Sequence, residues 1–390
     1  VADESDPELM GASDSHGHQA AGAAPDVSDE AAERRARWIR TQRRSGGVRQ
    51  RIWSAVRHFL ATGAPLALIG FWLVSVLIAL TIRDRGPALL SYWYYATPPT
   101  VLFLIAAPSL VWLLLWRRWG LALIPVVLTL VSGVWAYRST WYDNPAAPVA
   151  DGSRRVLLWN VQWGQRGWNR VIAEIRHRDP DIVGLMEARS YQRSKDHASA
   201  DVYRAVLKES ASVAENLFAS ALPEYSVAVT PSGVALLVKG SWRVARKGIL
   251  GGDNQTAYGH YIVCEIPIDD DVLHLVVVDI SSRLGRPRNK PLAKLNELLK
   301  TLEDKPVLLG GDFNTPMRSD LLGALRRRFL NAFAFTGTGY AATWPLPFPV
   351  LWIDHAWFNE HVRVSRCTLG WTNASDHRPI ELEISIAGEG

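Results

Sequence analysis

The stretch VLLGGDFNTP, residues 307–316, decides how this chain is read. Val307, Leu308 and Leu309 form an apolar run bounded by turn residues, the mark of a strand buried on both faces. Gly310 and Gly311 then allow another backbone to come close. The period-2 geometry of a strand turns Asp312 and Asn314 to one side. A carboxylate can orient or deprotonate a water there, while a carboxamide donates to a phosphate. Taken alone, the same residues also close a strand as an Asx turn.

Four further polar signatures border hydrophobic strand-like runs. Asn160 follows RRVLLW and Glu187 follows DIVGLM; Asp354-His355 lies inside WIDHAWFN, and Asp376-His377 precedes RPIELEISI. Each has a plain reading by itself. Asn160 suits a turn, Glu187 a structural ion pair, and Asp376-His377 a surface loop. Asp354 is harder to dismiss, because an acid in an apolar strand needs a partner. A histidine is the natural one, and the sequence leaves His377 and His355 both open. Five such coincidences in one region point instead to a common site. Oxygen donors suit a hard divalent cation, and amide and imidazole donors suit phosphate oxygens. The pattern implies a metal-dependent phosphoester hydrolase.

From Arg154 onward, strand-like runs alternate with helical ones. The runs are Val156–Trp159, Ile182–Met186, Tyr225–Thr230, Val234–Val238, Tyr261–Ile268, Leu273–Ile280, Val307–Leu309, Ile353–Phe358 and Ile380–Ile386. Helical periodicity marks Trp168–His177 and Pro291–Leu302. Several consecutive strands without helices argue against a doubly wound sheet. They fit two packed mixed sheets with helices outside. The only cysteines, Cys264 and Cys367, have no metal-like spacing. Both fall in strand-like runs, as buried free thiols or as a single bridge.

The 390 residues carry a formal charge of +5, but its excess is local. Arg34, Arg35, Arg37, Arg40, Arg43, Arg44, Arg49, Arg51 and Arg57 account for it, so composition advertises no basic nucleic-acid groove. Before this cluster lies an acidic tail with His16 and His18, expected to be disordered. Ile52, Trp53, Val56, Phe59 and Leu60 share one face of a basic helix suited to an anionic membrane surface. Three apolar segments follow at 65–82, 98–116 and 119–137. Each is long enough to cross a hydrocarbon core of about 30 Å. The N-terminal arginines and Arg117-Arg118 belong on the cytoplasmic side, which sends the C-terminal region outside. The expected organisation is a tail and basic segment (1–64), a transmembrane region (65–142), a linker (143–153) and a catalytic domain (154–390). The location is the cytoplasmic membrane, multi-pass.

The motif series from Asn160-Val161 through Asp181–Glu187, Gly311–Asn314, Ile353–His355 and Ser375–His377 resembles the endonuclease/exonuclease/phosphatase superfamily. Thr343-Trp344-Pro345 resembles that family's usual approach to the Asp354 strand. The resemblance implies a four-layered α/β sandwich with its site where the two sheets meet. It also implies magnesium or manganese held by Glu187 with Asn160 and Asp376, and a water activated by Asp312. Asn314 would donate to phosphate or nucleophile, and His377, oriented by Asp354, would meet the phosphoryl oxygens. One stretch departs from it. Many members carry Thr-His where this chain has Val278-Asp279-Ile280-Ser281-Ser282-Arg283. Arg283, Arg286 or Arg288 could supply the missing cation or simply form a solvated loop; Arg283 and Arg288 are the candidate substrate contacts. A phosphodiester, from nucleic acid or phospholipid, is the expected substrate, with the membrane the only other partner. A silent interaction module is the alternative of another class.

Overall fold

The computed structural model describes residues 27–145, 147–149, 152–191, 199–252, 257–283 and 286–387. His16, His18, most of the acidic tail and part of the 143–153 linker lie outside the described residues. The chain separates into two units, Val1–Leu60 and Ala61–Gly390. In the first, helix α1 (Val27–His58) is supported by Glu30–Arg34 and Glu33–Arg37 pairs one turn apart, and Ile52 and Trp53 are exposed.

The second unit begins with helices α2 (Ala64–Thr81), α3 (Ala88–Ala96), α4 (Pro99–Leu115) and α5 (Trp119–Thr140). Two helices, Gly47–Thr81 and Trp119–Thr140, are long and apolar enough to cross a membrane. A third span results if α3 and α4, bent by 64°, count as one. The bend has a local cause at Thr97-Pro98-Pro99. A residue before proline is driven out of the helical region, and Pro98 itself is extended at ψ 161°. Ile69, Trp72, Leu102, Ala106 and Leu128 form the small core of this bundle, with Trp72 Nε1 donating to Ser132 Oγ at 2.8 Å. Leu73, Leu77, Leu123 and Leu130 face outward and are exposed.

The strands are β1 (Trp141–Asp143), β2 (Arg154–Asn160), β3 (Ile182–Met186), β4 (Ser226–Val229), β5 (Ala235–Val238), β6 (Arg243–Ile249) and β7 (Gly259–Ile268). They continue as β8 (Asp271–Ile280), β9 (Val307–Asp312), β10 (Leu330–Asn331), β11 (Thr338–Tyr340), β12 (Asp354–Phe358), β13 (Val362–Leu369) and β14 (Ile380–Ile386). One six-stranded sheet runs β10-β12-β9-β8-β7-β6 and the other β13-β14-β2-β3-β5-β4. Both are mixed: β8 with β9 and β2 with β3 are parallel, and their other pairings are antiparallel. Strand β1 continues directly from α5 and pairs with β11, while Tyr142 sets its ring edge against Phe333 and Trp352.

Alternation along the strands builds the layers. Val156 and Leu158 of β2 face the space between the sheets, where they join Leu275, Val277, Leu308 and Ala356. Leu157 and Trp159 face the other way, onto Val171, Ile172 and Ile175 of helix α6 (Trp168–Arg178) and Phe218 of α7 (Ala200–Ala221). On the far side, Val276, Val278 and Leu309 pack on Leu292, Leu295 and Leu299 of α8 (Asn289–Lys300). The order helix, sheet, sheet, helix is the four-layered sandwich expected from the sequence. Central strands are therefore apolar on both faces, and truncating a residue such as Leu158 to Ala would cost about 2–5 kcal/mol. Gly310 lets the sheets close near the site: a Cβ there would lie 2.1 Å from Leu158 Cδ1 and 3.1 Å from the His355 carbonyl oxygen.

Candidate functional site

Strand register places three carboxylates side by side. Asp312 at the end of β9 pairs with Asp354 of β12 on one flank and with Asp279 of β8 on the other. Gly311 precedes them at φ +139°, with Val278 O only 2.0 Å from where a Cβ would stand, so only glycine fits this turn of the backbone. The opposite sheet contributes Asn160 at the end of β2, Glu187 just past β3, and Asp376 and His377 before β14. Gln162, Trp163, Glu187 and Asn314 hold positive φ, at 50°, 53°, 56° and 45°. Four non-glycine residues in that region at one site indicate backbone constrained by its surroundings.

Hydrogen bonds tie the halves together. Asn160 Nδ2 donates to Asp312 Oδ2 at 3.0 Å, across the gap between the sheets. Asn314 donates to Asp312 twice, from its backbone N–H at 2.8 Å and from Nδ2 at 3.0 Å. His377 Nδ1 lies 2.9 Å and 3.1 Å from the two Asp354 oxygens, and both residues are buried. Trp344 Nε1 donates to Asp376 Oδ2 at 2.9 Å. The partner of Asp354 is thus His377. His355 pairs with Gly311 on the next register position, so its ring goes to the other face and Nε2 meets the Thr315 carbonyl oxygen at 2.9 Å. Burial drives the His355 pKa down to about 4.

Crowded acids in a dry site resist ionisation. Burial, then the Asp279 and Asp312 carboxylates, push Glu187 up to about 9. Burial, then Asp354, raises Asp312 to about 8, and burial brings Asp279 to about 6. At His377, burial opposes the charged form, but the Asp354 carboxylate, together with Asp312 and Asp376, outweighs it and holds the imidazolium up to about 10. The donor set fits a divalent cation, which would relieve this repulsion. Buried Gln162 Oε1, with no hydrogen-bond partner among the described residues, adds a spare oxygen at the same place. Among the described residues, Asp312, Asp354 and His377 form a group compact enough to hold an ion, their candidate ligand atoms within 4.8 Å of one another.

A cavity of about 500 Å³ opens over these groups and is lined by Glu187, Asp312, Asn314, Asp376 and His377. Arg288 lines it too, but is buried and donates to the Asn314 and Arg286 carbonyl oxygens. Arg283 is exposed and stands outside the lining. A second cavity, about 550 Å³, lies by Arg166, Glu174 and Trp371 and contains none of the acidic cluster.

Sequence reasoning missed Asp279, Gln162 and the aromatic wall. Asp279 stands one residue before the end of an apolar strand, much the same signal as Glu187 carries. The wall is Trp344 together with Tyr92 and Tyr95 of α3.

A family model described as the endonuclease/exonuclease/phosphatase family matches residues 157–377. No curated protein matches the chain. Among solved structures, it is similar to an endonuclease/exonuclease/phosphatase family protein from Bacteroides thetaiotaomicron. That pair shares 16% identity over 61% of this chain and 99% of the other, with a TM-score of 0.46. A mannosyl-6-phosphatase from the same organism gives 16% identity, 60% and 100% coverage, and a TM-score of 0.45. A truncated Caenorhabditis elegans TDP2 gives 17%, 62% and 100%, and 0.44. The family match spans more than half of the chain and takes in every strand-end group from Asn160 to His377: the protein belongs to the endonuclease/exonuclease/phosphatase family of metal-dependent phosphoester hydrolases.

Proposed function

We propose that this chain is a membrane-anchored, magnesium-dependent phosphodiesterase whose catalytic domain, residues 154–390, faces away from the cytoplasm. The observation that carries the chemistry is Asp312, fixed by Asn160 and Asn314 and facing a cavity shared with Glu187 and the Asp354–His377 pair. Raised by burial to about 8, Asp312 is a stronger base than an ordinary carboxylate, and its ionised form can accept a proton from water. The water oxygen bonds to phosphorus, in line, as the bond to the leaving oxygen breaks; one phosphomonoester and one alcohol result. His377, kept cationic by Asp354, donates to a non-bridging oxygen as charge builds. Asn314 positions Asp312. Glu187, Asp376 and Asn160 would hold the cation, which supplies charge neutralisation to the phosphate. Asp354 makes two contacts to His377, which supports a charge-holding role over a ligand role for that pair.

Spans near 65–82, 98–116 and 119–137 would place the Arg83–Pro87 turn and the end of α5 on one side and Arg117-Arg118 on the other. Both of the former contact the catalytic domain: Arg83 Nη1 meets Asp320 Oδ1 at 2.7 Å, and β1 follows α5 without a break. The turn, the end of α5 and the catalytic domain would then share a side, and the arginine clusters on the opposite side are what support an N-terminus inside and a C-terminus outside. The test is hydrolysis of bis(4-nitrophenyl) phosphate by the full chain in detergent with magnesium or manganese. Chelator should abolish it, and Glu187→Gln should raise the magnesium requirement at least tenfold. Full activity in excess chelator would overturn the reading.

A further inference from the structure

The catalytic cavity is not built by the catalytic domain alone. Tyr92, Tyr95 and Ala96 of α3 form one of its walls, and none of them belongs to the family region 157–377. The turn that joins α2 to α3 is latched to the loop that leads on from Asp312. Asp84, buried in this turn, accepts from Tyr95 Oη at 3.0 Å, from Asp320 N at 3.1 Å and from Ser319 Oγ. Arg83 and Arg85 each meet the Asp320 carboxylate at 2.7 Å. Tyr94 Oη donates to the Arg318 carbonyl oxygen at 3.2 Å, and Tyr92 Oη reaches the Arg283 and Arg286 carbonyl oxygens at 3.4 Å. With so many fixed partners, the wall is part of the site's structure.

What such a wall does depends on the space it bounds. About 500 Å³ is room for one small molecule, within the ordinary range of ligand pockets. An internal link of a polynucleotide asks for more. Its strand must run on from both sides of phosphorus, along cations that match the neighbouring phosphates. Among the described lining residues the single arginine or lysine is Arg288, which is buried and donates to the Asn314 and Arg286 carbonyl oxygens. A second aromatic boundary, Trp344, is fixed by its 2.9 Å bond to Asp376. In the α3 wall, Tyr95 is buried and Ala96 offers only a methyl group. Tyr92 is half-buried, so its ring is the part of the wall that a larger substrate would meet.

Resting on the phosphodiesterase reading above, we infer that Tyr92 sets a limit on substrate size: the enzyme takes a small phosphodiester whole into the cavity and rejects the internal links of a polynucleotide. The experiment uses the full chain in detergent with magnesium. It compares two substrates of the same alkyl phosphodiester chemistry, the methyl diester of thymidylate and a closed single-stranded thymidylate circle, which has no ends. In each, water oxygen bonds to phosphorus, an alkoxide leaves and takes up a proton, and a phosphomonoester remains. Measured per bond and above the His377→Ala background, kcat/KM is expected to be about tenfold or more higher for the methyl diester. Tyr92→Ala should remove most of that preference by speeding cleavage of the circle. Tyr92→Phe, which keeps the ring and loses the hydroxyl, should keep the parent's preference. The parent comparison decides even if Tyr92→Ala fails to fold. A circle cleaved as fast as the methyl diester overturns the inference and leaves the hydrolase standing. So does a methyl diester left intact while bis(4-nitrophenyl) phosphate is hydrolysed, or a Tyr92→Ala enzyme with the parent's preference. No metal-dependent hydrolysis of any probe overturns both readings.

Discussion

Replacing Asp354 with Asn tests the charge logic of the site. The substitution keeps an oxygen that can accept from His377 Nδ1, where Asp354 now sits at 2.9 Å, but it removes the carboxylate charge. That charge is the largest influence raising His377, whose pKa stands near 10. Without it, the imidazole should return to about its ordinary 6.5, with burial pulling lower and Asp312 pulling higher. At pH 8, roughly 3% of His377 would then be cationic, against nearly all of it in the parent. If the imidazolium stabilises the transition state, kcat should fall about thirtyfold at pH 8 and less than twofold at pH 6, relative to the parent at each pH. KM should hardly move. His377→Ala should lose on the order of 10² or more at both pH values. The double variant should lose no more than His377→Ala alone. Steady-state kinetics on bis(4-nitrophenyl) phosphate between pH 6 and 9 would measure this. An equal loss at pH 6 and pH 8, or no loss at pH 8, refutes the assignment of a charged His377.

Three further outcomes are expected. Asp279→Asn should weaken the metal requirement's half-saturation about tenfold, as losing an outer carboxylate commonly does; an unchanged magnesium titration would remove Asp279 from the site. Glu187 (about 9), Asp312 (about 8) and His377 (about 10) are all raised on folding, so the folded state holds more protons than the unfolded one. Their contribution is greatest at low pH and is lost as pH rises through about 8 to 10. Metal-free protein in detergent should therefore melt lower at pH 8.5 than at pH 5.5, and magnesium should raise Tm more at the higher pH. A magnesium effect independent of pH would contradict this coupling. Finally, alkaline phosphatase fused after Gly390 should be active in a bacterial host and a green fluorescent fusion dark, the opposite pair reversing the topology.

What could be read from the chain followed burial. Strands such as β3 and β9 are buried on both faces, so they are apolar up to their last residues and their ends are sharp. The acids at those ends stand out for the same reason. Strand β6 escaped notice because its sequence, RVARKGI, is mostly exposed and carries the charges of a surface segment. In β13, VRVSRCTL, alternation is present but a register shift between Val364 and Arg366 interrupts it. Helix α7 mixes small and polar residues on a face that meets the sheet mainly through Ala214 and Phe218. The site divides similarly. Asn160, Glu187, Asp312, Asn314, Asp354, Asp376 and His377 converge as their strand positions suggested. Choosing His377 over His355 needed register, because adjacent strand residues point to opposite faces. The role of α3 was beyond local reading, since nothing in Tyr92 or Tyr95 says which distant surface they will meet.

The continuity of α5 into β1 bears on how this enzyme can be cut. A fragment beginning at Arg154 would lose Trp141–Asp143, leave the β11 backbone edge unpaired and bare the Phe333 and Trp352 rings that Tyr142 covers. An open edge beside uncovered aromatics is a template for self-association. Soluble fragments should therefore start ahead of Trp141, and those starting later are expected to aggregate even though every side chain proposed for catalysis is still present.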